Sequence, residues 1–147
     1  MKKTLILLFA ALIIVLACKK TNNESKPATL KVTLVSPNDG STVTRTEVTQ
    51  FSWTASSSNS TAPMGYKIQI VEIKGDQSPD NALHTNKPIF EKDSGNWVGA
   101  NPSINYPFSA RHPAFTAKAK YAWQVTARQE GVAAEAASAA STFTASE

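Results

Sequence analysis

At 147 residues, with 18% of them charged and a formal net charge of +4, the chain has the length of one ordinary domain plus short appendages. Lys2 and Lys3 carry two of those charges, so the remainder holds only +2, without the clustered basic footprint of a nucleic-acid binder. A single cysteine, Cys18, excludes an intramolecular disulfide, so a body of about 110 to 120 residues has to fold on its apolar core alone.

The first element in chain order is Met1-Lys2-Lys3-Thr4, an apolar run from Leu5 to Leu16, and then Ala17-Cys18. A short positive start, about a dozen apolar residues and a small residue before a cut describe an export signal. The run falls short of the roughly 20 residues that span a bilayer as a helix. Val15-Leu16-Ala17-Cys18 resembles the lipobox of bacterial lipoproteins. The resemblance implies that residues 1–17 are removed as a signal peptide. It also implies that a diacylglycerol and a further acyl chain of the palmitate type sit on Cys18, the only lipid or cofactor expected. Two or more acyl chains hold a protein stably at a membrane where one holds it marginally.

Residues 18–29 follow as the lipidated Cys and a linker. Lys19 to Thr29 is polar, lacks aromatic residues and contains Pro27, the composition of a flexible tether. Glu24 is its only acidic residue, which favours a periplasm-facing outer-membrane position and leaves surface display as the alternative.

From residue 30 to 147 the pattern is that of an all-β domain. Leu30, Val32 and Leu34 alternate with Lys31 and Thr33, and Ser36-Pro37-Asn38-Asp39-Gly40 is a dense turn signal. Val48 to Thr54 predicts a second strand with Phe51 and Trp53 on one face, and Ser56 to Ser60 reads as a loop. Tyr66, Ile68 and Ile70 predict a third strand, running to about Ile73. Ser78-Pro79 places a capping residue before a proline suited to a first helical position, predicting one or two helical turns.

Ile89 and Phe90 suggest a short edge strand. Ile104, Tyr106 and Phe108 predict another, with Pro107 arguing for an edge or a bend. The clearest alternation is Tyr121, Trp123, Val125 and Ala127. Val132 to Ala140 has helical propensity but is too short to hold a helix unaided, and reads as a loop leading into a last strand at Ser141 to Thr144. About seven short strands separated by turns predict an antiparallel β-sandwich.

Tyr121-Ala122-Trp123-Gln124-Val125-Thr126-Ala127 resembles strand F of fibronectin type III domains, in the wider immunoglobulin-like class. Phe115 stands six residues before Tyr121, as an apolar residue commonly does at that family's E–F corner. Trp53 is similar to the family's buried core Trp, and Tyr66, Ile68 and Ile70 to its strand C. Thr116 to Lys120 stand where a Pro-Gly turn is usual. The excursion from Asp76 to Pro88, with Tyr106-Pro107, is similar to fibronectin-like domains in envelope proteins of Bacteroidota. The resemblance implies a binding or spacer module and transfers no catalytic residues. Tyr121 itself reads as a structural corner, its phenol bonded to backbone a few residues upstream.

No catalytic constellation is legible, and the chain reads as non-enzymatic. His84 and His112 lie in polar stretches without other ligands at metal spacing, and Asp76, Asp80 and Asp93 are too scattered for calcium. Trp97 stands in Asp93-Ser94-Gly95-Asn96-Trp97-Val98-Gly99-Ala100-Asn101, where no periodicity buries it. With Tyr106 it is the candidate ligand-binding pair on a loop-rich end, suited to stacking on a sugar or to anchoring a protein partner. The alternative is that Trp97 folds back to cap the sandwich. The expected role is a membrane-anchored interaction or scaffold module with an envelope protein partner; a carbohydrate-binding lipoprotein is the second reading.

Overall fold

The computed structural model describes residues 29–58, 64–97, 102–107, 112–129 and 135–147, with the side chains of 94–97 excepted. Cys18, the signal segment and Phe108 lie outside the described residues.

The fold is an all-β sandwich of two sheets. The first joins β1 (Leu30–Ser36), β3 (Thr49–Ser57) and β6 (Ser103–Tyr106) in the order β1-β3-β6. The second runs β2 (Ser41–Val43), β9 (Ser141–Ala145), β7 (Lys120–Gln129), β4 (Met64–Glu72), β5 (Phe90–Trp97), with β8 (Ala136–Ala137) also paired to β7. All pairings are antiparallel except that of β2 with β9.

Alternation sets which face is buried. In β7 the inward residues Tyr121, Trp123, Val125 and Ala127 are all buried, and the register sets Ala127 opposite Tyr66, Val125 opposite Ile68 and Trp123 opposite Ile70. A one-residue slip would turn every one of these outward, so burial enforces the register. The first sheet contributes Phe51 and Trp53. Phe51 meets Trp123 edge-on at 5.0 Å and Phe143 at 5.7 Å, and Trp53 meets Tyr66 at 5.5 Å. Each such pair adds roughly 0.5–1.5 kcal/mol beyond the area it buries.

Below Tyr121 the chain turns a corner. The Thr116 N–H donates to the Tyr121 hydroxyl at 2.8 Å, as expected of a corner tyrosine. Where a Pro-Gly turn is absent, Lys118 takes φ +62° and Ala119 N–H closes the turn onto Thr116 O at 3.1 Å. A left-handed residue with a Cβ costs roughly 1–2 kcal/mol, here offset by the bond from Lys118 N–H to Ala145 O.

The helix α1 (Pro79–Thr85) forms where the cap signal predicts it, with the Ser78 hydroxyl accepting from Asn81 N–H at 3.2 Å. Its buried Ala82 and Leu83 pack on Val71 and Ala122, on the outer side of the second sheet.

Several expectations are corrected. The Ser-rich stretch after Trp53 is strand as far as Ser57, because pairing with β1 (Ser57 opposite Leu30) overrides its loop-like composition. The short edge strand at Ile89–Phe90 is instead eight residues long, laddered on β4 to the pair Trp97 opposite Met64. Trp97 therefore stands on a strand rather than a loop. Two strands of three and two residues, β2 and β8, were not legible, bringing the number to nine among the described residues.

Candidate functional site

Of the residues singled out by sequence, Cys18 lies outside the described residues, as does the side chain of Trp97. Tyr106 is a correction. It is 1% exposed, stacked on Phe115 at 4.4 Å and edge-on to Phe90 at 5.4 Å, and its hydroxyl donates to Pro113 O. Its neighbours Asn105 and Pro107 are exposed while its own ring alternates inward. Tyr106 is thus a core residue, and it offers no face to a sugar. Burial pushes its phenol pKa up, with Tyr121 adding to the effect, and burial does the same to Tyr66.

The histidines do not form a site. His84 is exposed on α1 with Nδ1 2.7 Å from Asp80 O, while His112 is half-buried against Phe90 at 5.1 Å, less exposed than a surface residue. Among the described residues no group of His, Cys, Asp or Glu is placed to hold a metal ion. No described helix is long and apolar enough to cross a membrane.

The structure instead assembles polar chemistry on the outer face of the second sheet. The register sets Lys67 between Asp93 and Thr126, Gln69 between Glu91 and Gln124, and Gly65 opposite Arg128. Lys67, Gln69, Gln124, Thr126, Arg128 and Glu135 line a shallow cavity of about 180 Å³. Its rim carries two ion pairs, Lys67 Nζ to Glu91 at 3.1 Å and Arg128 to Asp93 at 2.7 Å. Both are about half exposed, so each contributes at most roughly 1 kcal/mol and can exchange for a ligand's charges at little cost.

Two glutamines frame this cavity and are held in place. Gln69 Nε2 donates to Leu83 O at 3.0 Å, and Gln124 Nε2 donates to Ser138 O at 2.8 Å. α1 covers the sheet beyond Gln69, so the open polar patch is bounded by helix on one side and by β8 on another. The signal for this patch was present in the sequence as the outward phase of the same alternation that predicts the core. The arrangement offers paired charges, amides and one hydroxyl for recognition.

Comparison with known proteins finds no family model, no curated protein and no solved structure that matches this chain.

Proposed function

We propose that this chain is a lipid-anchored protein of the cell envelope, held through acyl chains on Cys18, whose sandwich is a non-enzymatic protein-interaction or scaffold module of the fibronectin type III kind. The observation that carries this reading is a spacing. Among the described residues β1 begins at Leu30, so the ~11 mostly polar residues after Cys18 give the domain a reach of at most roughly 35 to 40 Å from the lipid.

The sheet orders support the fibronectin-like part of the reading. On this reading β1, β3 and β6 would correspond to that family's A, B and E, and β4, β7 and β9 to its C, F and G. The corner bond from Thr116 to Tyr121 belongs to the same pattern. The tether would enter at one end of the sandwich, where Ser57 Oγ donates to Gln129 at 2.6 Å across the two sheets. The opposite end, with α1 following β4, would then point away from the membrane. In that orientation the polar face of Lys67, Gln124 and Arg128 stands sideways to the bilayer, open to neighbouring envelope proteins. The periplasmic leaflet of the outer membrane is the proposed location.

Metabolic labelling with a palmitate analogue tests the anchor. The wild-type chain takes the label and sediments with membranes; Cys18→Ala loses the label and appears in the soluble fraction. Persistent labelling of Cys18→Ala overturns the lipoprotein reading.

A further inference from the structure

Among the described residues five strands leave an edge open: β1 and β6 in the first sheet, β2, β5 and the two-residue β8 in the second. An open edge is a row of unpaired N–H and C=O groups that templates another strand, and folded proteins blunt such edges with charge, proline or brevity. Four of the five follow that rule plainly, β8 by being two residues long. β5 carries Glu91, Lys92 and Asp93 in succession, β6 is four residues long and followed by Pro107, and β2 is three residues long.

β1 is blunted least along its length. Leu-Lys-Val-Thr-Leu-Val-Ser is seven residues, four of them apolar, with one charge, Lys31, near its start, and its irregularity and Pro37 come only at its far end. Ser58 N–H donates to Thr29 O at 3.1 Å, which fixes the phase of the ladder. Odd-numbered positions bond β3, and the backbone groups of Leu30, Val32 and Leu34 point to the open side as far as the irregularity between Leu34 and Ser36. On that side a groove of about 440 Å³ separates β1 from the segment Ser138–Ser141, with Pro37 to Asp39 closing one end.

The far wall of the groove does not compete for β1. Ser138 N–H donates to Val125 O at 2.8 Å and its hydroxyl to Ala139 O at 2.8 Å, and the wall is otherwise built of small side chains. At the closed end Asp39 is also occupied, accepting from Thr142 N–H at 2.7 Å and Thr142 Oγ1 at 2.9 Å. Lys31 is left as an exposed charge at the groove with no ion pair among the described residues.

The geometry points to the edge of β1 as a docking site for an extended peptide of a partner protein, added as a further strand to the first sheet. The pleat specifies its sequence. Residues level with Val32 and Leu34 turn into the groove and are small or β-branched apolar side chains; the residue level with Lys31 faces outward and is acidic. Charge also separates this occupant from a second copy of the chain. Antiparallel self-pairing about Val32 sets Lys31 against Thr33 and leaves both amines unmatched. This inference rests on the reading of the domain as an interaction module and not on the lipid, so the labelling outcome for Cys18→Ala leaves it standing.

The test uses the full chain in detergent and a fluorescent synthetic peptide of alternating Val and Thr with one central Glu in place of a Thr. A matched peptide carries Lys in that position. The Glu peptide is expected to bind and to slow amide exchange at Val32 and Leu34. Lys31→Glu should weaken it about threefold and reverse the preference in favour of the Lys peptide, the scale of an exposed ion pair. Leu34→Pro, which removes an edge donor, should reduce binding of both peptides; since that variant can also perturb folding, the charge reversal at Lys31 carries the decision. Binding indifferent to Lys31→Glu, absence of amide protection at Val32 and Leu34 with either peptide, or a dimer in sedimentation that protects those amides without peptide each overturns the proposal.

Discussion

Two apolar clusters hold this domain, and they are built differently. Between the sheets lie Phe51, Trp53, Tyr66, Trp123, Phe143 and their neighbours, drawn from both sheets and meeting ring to ring. Among the described residues the cluster at α1 sets the helix's own Ala82 and Leu83 on Val71 and Ala122 of the sheet, with Ile73 and Ala140 at the margin. The first cluster joins strands far apart in sequence and defines the sandwich. The second fastens one short helix to the outer face of one sheet. Large rings shared between sheets make one cooperative unit, whereas a patch of small side chains leaves its helix at the low end of local stability.

The comparison breaks most severely at Trp123, which is fully buried and touches the opposite sheet through Phe51. Trp123→Ala is expected to cost about 3–5 kcal/mol, a large fraction of a typical domain's stability. Urea unfolding followed by far-ultraviolet circular dichroism measures it. A loss under about 1 kcal/mol would mean that the ring contributes little cooperativity. The indole N–H of Trp123 has no hydrogen-bond partner among the described residues, so its truncation removes packing and orphans no acceptor.

A smaller effect sharpens the contrast. Leu83→Ala should cost about 2 kcal/mol and act locally. In hydrogen exchange, the amides of α1 should lose protection while those of β4 and β7 keep theirs. Uniform loss across helix and strands would show the two clusters to be one unit.

The smallest effect concerns a polar staple between the sheets. Asp39, in the turn after β1, accepts from Thr142 in β9, and these hydrogen bonds, backbone first, lower its pKa below the ordinary carboxylate value. A depressed folded pKa stabilises the fold above the unfolded value of 3.8 and loses that contribution as pH falls through the folded value. Asp39→Asn should therefore lower stability by about 1 kcal/mol at neutral pH, a modest figure because the carboxylate is exposed. The difference from wild type in urea midpoint should shrink toward zero as the buffer is acidified below that range. A pH-independent difference would assign the effect to shape rather than charge.

What was legible follows the range of the interactions concerned. The strands at Tyr66–Ile70 and Tyr121–Ala127 are written in local alternation, and the helix in a Ser-Pro cap, so both were read correctly. The stretch Asp93–Trp97 was not, because Gly95 and Asn96 disfavour strand and only the ladder on β4 makes it one. β2 was invisible for the same reason: three residues pair with β9 about a hundred positions away. Tyr106 is not legible as core because Asn105 and Pro107 beside it are solvent-facing, while the ring that buries it, Phe115, arrives after the next bend. The polar face could have been found by reading Lys67, Gln69, Gln124, Thr126 and Arg128 as the outward phase of two strands already identified. The open edge of β1 required knowing the strand order.

The bond pair between Thr29 and Ser58 has a mechanical consequence. A pull on Thr29 directed along β1 acts at right angles to the hydrogen bonds with β3. The pairs from Leu30 opposite Ser57 to Leu34 opposite Trp53 then bear the load together in shear instead of being peeled one at a time. Along that axis the ladder between β1 and β3 gives way as a unit or not at all.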